Sequence, residues 1–126
     1  MEKQVHLSRS EWRVMACLWE APHTLMELVE SLHKSADWSK STVTTMVRRM
    51  EEKGLIRYDS QGRTKIFHPT VSREEVVAQE TRSLLQKAYD GSIGLLVSAM
   101  AQRNDLTKAD IQELYEILQK AEGDAK

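Results

Sequence analysis

Residues 39–54 read Ser-Lys-Ser-Thr-Val-Thr-Thr-Met-Val-Arg-Arg-Met-Glu-Glu-Lys-Gly. Ser39 stands where a helix N-cap would, and Gly54 where a left-handed C-cap would, so a helix is predicted from Lys40 to Lys53. Val43, Met46, Val47 and Met50 recur at i, i+3, i+4 and i+7 and form one apolar stripe. The opposite side carries Ser41, Thr45, Arg48 and Glu52, flanked by Thr42, Thr44 and Arg49. Solubility alone would favour Glu and Lys there. Short hydroxyl side chains instead let a helix backbone approach base edges, a Thr methyl can touch a thymine methyl, and arginine bonds guanine or clamps phosphate. Lys40 and the helix N-terminus add positive potential toward phosphate. A surface helix whose threonines are merely exposed has the same pattern, so the flanking segments must decide.

Downstream, Leu55-Ile-Arg-Tyr58 and Arg63-Thr-Lys-Ile-Phe67 are short and rich in β-formers. They predict a hairpin in which Asp59-Ser-Gln-Gly62 is the loop rather than a tight two-residue turn, with Pro69 closing the second strand. Arg63 and Lys65 fall near its tip, in reach of phosphate or the minor groove. Protection of an edge strand is a second use for Lys65. Upstream, Ser8-Arg-Ser-Glu11 and Thr24-Leu-Met-Glu27 have the capping-box spacing. The helices they open carry the stripes Trp12, Met15, Ala16, Trp19 and Leu25, Leu28, Val29, Leu32, and Pro22 ends the first. Three helices and then a hairpin is the order of a winged helix-turn-helix.

After residue 71 the pattern is wholly helical. Ser72-Arg-Glu-Glu75 opens a helix to about Tyr89, Gly91 and Gly94 loosen the junction that follows, and Thr107 caps the last helix. The fold class expected is therefore mostly α, a winged helix over residues 1–71 followed by a helical dimerisation region over residues 72–126. That region has apolar stripes but too little chain for a core of its own. A second copy is the economical cover, with Val77, Leu84, Leu85, Ala88, Leu96, Met100, Ile111, Leu114, Tyr115 and Leu118 as the dimerisation residues. Folding back onto the winged domain is the competing arrangement.

Of the 126 residues, 40% are hydrophobic and 29% charged, which excludes a disordered chain. The net charge of −1 conceals an uneven distribution. Lys40, Arg48, Arg49, Lys53, Arg57, Arg63 and Lys65 face only Glu51, Glu52 and Asp59 across the same stretch, while both flanks are acidic. A basic segment in an acidic chain suits a protein that meets phosphate on one face. No apolar run reaches the roughly 18 residues of a membrane span, and the start of the chain lacks a signal-peptide layout, so a cytoplasmic location is expected. Cys17 is the one cysteine, read as a buried structural thiol. His6, His23, His33 and His68 are scattered, with no metal-ligand spacing, nucleophile elbow or phosphate loop. No enzyme activity, metal site or cofactor is expected.

Ser8-x-x-Glu11-Trp12-x-Val14-Met15, Leu18-Trp19, Asp37-Trp38-Ser39-x-Ser41-Thr42-Val43, Arg49-Met50 and Lys53-Gly54 resemble the penicillinase repressor family, as do Tyr89 and Leu106-Thr-x-x-Asp110-Ile-x-Glu-Leu114. The resemblance spans nearly the whole chain. It implies a homodimeric repressor with its third helix in the major groove of TACA/TGTA-type half-sites of double-stranded operator DNA. It places Ser39, Lys40, Thr42, Thr44, Thr45 and Arg49 on the DNA-facing helix, Thr44 standing where relatives often carry arginine. In the antibiotic-responsive branch it further implies a membrane sensor-protease system and cleavage at the position of Ala99–Met100, where relatives carry Asn-Phe. The copper-responsive branch ends in a Cys-x-Cys tail, and this sequence ends Ala-Glu-Gly-Asp-Ala-Lys. Thiolate metal sensing by that route is therefore not expected, although a winged helix regulator answering a metal or small ligand is the alternative reading.

Overall fold

Helix initiation in this chain follows its hydroxyl residues. The computed structural model describes residues 5–103 and 105–124; residues 1–4, part of the stretch on which the leader expectation rests, and 125–126 of the tail lie outside it. Helix α1 (Arg9–Glu20) starts at Ser8, whose hydroxyl accepts the Glu11 N–H at 3.2 Å while its own N–H donates to the Glu11 carboxylate at 2.8 Å. The same reciprocal pair is made by Thr24 and Glu27 at the start of α2 (Leu25–Ala36). Each box satisfies two backbone donors that the first turn leaves without partners. Helix α3 (Lys40–Glu52) starts at Ser39, which accepts the Thr42 N–H at 3.2 Å. It ends in a Schellman arrangement: Leu55 N–H donates to the Met50 carbonyl and Gly54 N–H to the Glu51 carbonyl, both at 2.9 Å. That closure needs the left-handed φ of +79° at Gly54, which glycine adopts without a Cβ penalty.

The three helices bury Val14, Met15 and Leu18, then Leu28 and Leu32, then Val43, Val47 and Met50, closed by Leu7, Leu55, Ile56, Phe67 and Val76. At about 1.5–3 kcal/mol per fully buried large aliphatic side chain, this cluster drives the packing of the first unit. The buried face of α1 is rotated from the stripe read in the sequence. Ala16 is exposed, and Trp12 and Trp19 are half-buried, edge-to-face at 5.5 Å. Indole carries an N–H that must find an acceptor, which favours the boundary of a core. Trp19 meets that need by donating to the Val71 carbonyl at 2.9 Å. Cys17 is likewise half-buried rather than buried, its sulfur 3.6 Å from the Ser31 hydroxyl.

The hairpin departs from its expected shape. Strand β1 (His23–Thr24) is a two-residue segment with no periodicity to reveal it in the sequence. It adds to β2 (Ile56–Gln61) and β3 (Thr64–Pro69) to give an antiparallel sheet of order β1-β3-β2. Gln61 pairs with Thr64, so the turn is the tight two-residue Gly62-Arg63 and not the loop 59–62. Gly62 at φ +63° occupies the first turn position, where the favoured hairpin turns need a left-handed residue. Asp59, Ser60 and Gln61 are all exposed. A ribbon wetted on both faces has no apolar alternation, which is why its outer half did not read as strand. The base of the wing is fastened to the end of α3: Thr70 N–H donates to the Leu55 carbonyl at 3.0 Å and its hydroxyl to the Gly54 carbonyl.

Backbone proximity divides the chain into two units, residues 1–80 and 81–126. The division falls inside α4 (Arg73–Tyr89), since Val76 is fully buried in the first cluster. Val5 and Leu7 N–H also donate to the Gln79 and Glu80 side chains. The second unit holds the rest of α4 with α5 (Ile93–Gln102) and α6 (Lys108–Asp124), and none of its described residues is buried.

Candidate nucleic-acid interface

On α3 the stripe predicted to face inward does so, with Val43, Val47 and Met50 buried and Met46 half-buried. The other face is open to solvent. Lys40, Ser41, Thr42, Thr44, Arg48 and Arg49 are exposed, as is the cap residue Ser39, and Thr45 is half-buried on the flank. Several of the hydroxyls are already engaged. Ser39 Oγ lies 3.2 Å from Ser41 Oγ and 3.0 Å from Thr42 Oγ1, a network gathered at the helix N-terminus. Thr44 donates its hydroxyl to the Lys40 carbonyl at 2.8 Å.

The cations sort by what they touch. Lys53 donates to Glu11 at 2.7 Å, Arg57 to Asp59 at 3.0 Å, and the Lys65 ammonium sits 4.3 Å from the centre of the Tyr58 ring. Lys40, Arg48, Arg49 and Arg63, like Arg9, Arg13 and Arg73 elsewhere among the described residues, have no ion pair. Three of the four lie on α3 and the fourth at the wing tip, where Arg63 is exposed next to Gly62. Cations left without carboxylates on one exposed helix and an adjacent ribbon are suited to phosphate and base edges.

Glu11 has a second role that its capping box does not disclose. Its carboxyl is 4% exposed and joins two elements, capping α1 through Ser8 and holding Lys53 at the C-cap of α3. Burial raises its pKa, but the bonds from Lys53 and Ser8 outweigh that and hold it below the ordinary 4.5. The capping box in the sequence discloses the first partner; the second depends on a contact across 42 residues.

The histidines stay dispersed, His6 against Glu80 and His68 against Asp59, each at 3.1 Å. Among the described residues no three or more His, Cys, Asp or Glu side chains gather as a metal site. In the second unit Val77 lies outside, since it precedes residue 81, and is exposed. Leu84, Ala88, Met100, Ile111, Tyr115 and Leu118 are exposed, while Leu85, Leu96 and Leu114 are half-buried. Ile93, Leu95 and Ile117 are further exposed apolar side chains. Ala99 and Met100 lie within α5.

With this geometry in place, the family description "Penicillinase repressor" matches residues 7–120. The chain belongs to the penicillinase repressor family. Its relatives in that family include the penicillinase repressor of Bacillus licheniformis, 28% identical over 94% of both chains. The methicillin resistance regulatory protein MecI of Mammaliicoccus sciuri is 26% identical over 94% of this chain and 97% of its own. Among solved structures, the DNA-binding domain of the repressor BlaI superposes with a TM-score of 0.52 at 28% identity, covering 60% of this chain and 93% of that one. The Bacillus licheniformis BlaI monomeric form in complex with the blaP half-operator gives 0.51 at 27% identity, with the same coverage. The winged helix fold of the repressor family is thus shared, and no helix among the described residues is long and apolar enough to cross a membrane.

Proposed function

We propose that this chain is a transcriptional repressor that binds palindromic operator DNA as a homodimer and is released by an inducing signal. The observation that carries it is the exposed face of α3, where Arg48 and Arg49 have no carboxylate partner and the hydroxyls flank them. In this reading α3 enters the major groove, Ser39, Lys40, Ser41 and Thr42 meet backbone phosphate at its N-terminus, and Thr44, Thr45, Arg48 and Arg49 meet bases or phosphate. The wing lays Arg63 and Lys65 along the neighbouring backbone or minor groove. That BlaI has been solved in complex with a half-operator supports operator binding here. The second unit supplies the dimer through its exposed apolar side chains, and the protein works in the cytoplasm.

For release, we propose that a membrane sensor-protease system leads to cleavage of the Ala99–Met100 bond. That bond lies inside α5, so cleavage requires the helix to open locally first.

Fluorescence anisotropy with a duplex carrying two half-sites tests the DNA contact. Arg48→Ala and Arg49→Ala should each weaken binding roughly five- to 150-fold, about 1–3 kcal/mol, with the fold intact. Wild-type affinity should fall steeply with added salt. Unchanged affinity in both variants, or salt-insensitive binding, would overturn the reading.

A further inference from the structure

Between α2, α3 and β3 lies an open cleft of about 500 Å³ whose walls and floor differ in chemistry. The floor is hydrocarbon: Val47 and Phe67 at its base, then Leu25 and the rim residue Met26, which is 57% exposed. The walls carry Arg48, Arg63 and Lys65 on the cationic side against a single carboxylate, Glu51. Duplex DNA accounts for the cations. The backbone phosphates do not account for Met26, whose exposed thioether beside the half-buried Leu25 gives the rim an apolar surface next to the cations.

We propose that this cleft is a binding site for a small amphipathic organic anion, a carboxylate on an aromatic or aliphatic body, and that its occupant competes with operator DNA. The body lies on Leu25, Met26, Val47 and Phe67, and the carboxylate is held by Arg48 and Arg63. The volume is within the range of small-molecule pockets, and the mix of apolar lining with a few convergent polar groups is what such pockets share. Glu51 leaves the walls with a net charge of two positives and disfavours a second negative charge at its end of the cleft. Because Arg48, Arg63 and Lys65 cannot serve carboxylate and DNA phosphate at once, occupancy and operator binding exclude each other. The competition rests on the repressor reading; the site itself does not. It operates whether or not α5 is cleaved.

The experiment uses the full chain with methyl-labelled methionine and labelled backbone amides, titrated with 4-phenylbutyrate. Saturable shifts are expected at Met26, Val47 and Phe67, with half-saturation in the millimolar range, about what a ligand of this size achieves. The operator dissociation constant should rise in step with occupancy, by about twofold per protomer at half-saturation. Neutral 4-phenylbutanol should bind at least about tenfold more weakly, through loss of the charge-assisted bonds. Met26→Gln, of similar length but polar, should weaken the probe about fivefold and leave operator affinity unchanged. Shifts confined to residues 81–124, none up to about 10 mM, or equal binding of the alcohol would overturn the site. If the cleft residues shift but the protein binds no operator even without the probe, the repressor reading fails and the cleft stands. If operator binds and the cleft is silent, the cleft fails alone.

Discussion

Thr44 commits its hydroxyl proton to the Lys40 carbonyl one turn back, and it is exposed. In the proposed complex, what it still offers a groove is a methyl group and an oxygen lone pair, which suits it to thymine rather than to hydrogen-bond donation. Thr44→Val, which keeps the methyl, should hold operator affinity within about twofold, whereas Thr44→Ser should lose roughly fourfold, the worth of one methyl contact. Replacing operator thymines by uracil one at a time should find a position that costs the wild type a similar factor and costs Thr44→Ser nothing; sensitivity retained in Thr44→Ser would exclude the contact. Glu11 makes a prediction about stability. Its folded pKa lies below the ordinary 4.5, so its contribution is complete above that value and is lost as pH falls through the lower, folded value. Glu11→Gln should cost about 1–2 kcal/mol near neutrality, because the Lys53 ammonium left behind is half in water, and should flatten the loss of stability below about pH 4.5. Urea unfolding across the acid range measures both.

At the level of elements, the helices were legible because each begins with a side chain that solves a local problem. Ser8, Thr24, Ser72 and Thr107 all form reciprocal boxes with an acid three residues on. Those bonds hold the Glu27 and Asp110 carboxyls below their usual range. Such signals need only four consecutive residues. What was not legible depends on the rest of the chain: β1 exists because Phe67 and Ile66 pass beside it, and the outer wing is strand because Gln61 meets Thr64. The rotation of α1 has the same origin, since Val71 supplies the acceptor that draws Trp19 to the boundary. The exposed side of α3 was readable from the period of its apolar stripe, whereas the Glu11–Lys53 tie at the end of that helix was not. Gly54 and Gly62, two of the three left-handed glycines, separate by what they support. Gly62→Ala meets nothing within 4 Å, so its cost should be the backbone penalty alone, about 1–2 kcal/mol. Gly54→Ala carries a similar penalty and also disturbs the closure that joins α3 to Leu55 and to Thr70. It should therefore weaken operator binding more than Gly62→Ala at matched stability; equal effects in an anisotropy assay would show that the α3 terminus has no positioning role.

For the whole molecule, the two units have opposite problems. The first has a closed core and an exposed polar face; the second, among its described residues, has no buried side chain and turns Leu84, Ile93, Leu95, Tyr115, Ile117 and Leu118 more than half to water. Surfaces of that kind are uncommon on a monomer and mark an association site. Covering six such side chains gains on the order of 10 kcal/mol at about 1.5–3 kcal/mol each, while association costs about 4–15 kcal/mol. One copy therefore gains too little from a partial contact, but a two-fold partner presents every residue twice and doubles the gain for a single association cost. In the proposed repressor the same symmetry would double the phosphate contacts and require two half-sites a whole number of helical turns apart. Leu118→Glu combined with Leu84→Glu should convert a micromolar dimer to a monomer in sedimentation. The monomer should retain binding to a single half-site and lose the tighter binding to the full palindrome. A wild-type chain that sediments as a monomer, or a double variant that still distinguishes the palindrome from one half-site, would separate DNA recognition from dimerisation and leave the apolar surface of the second unit to another partner.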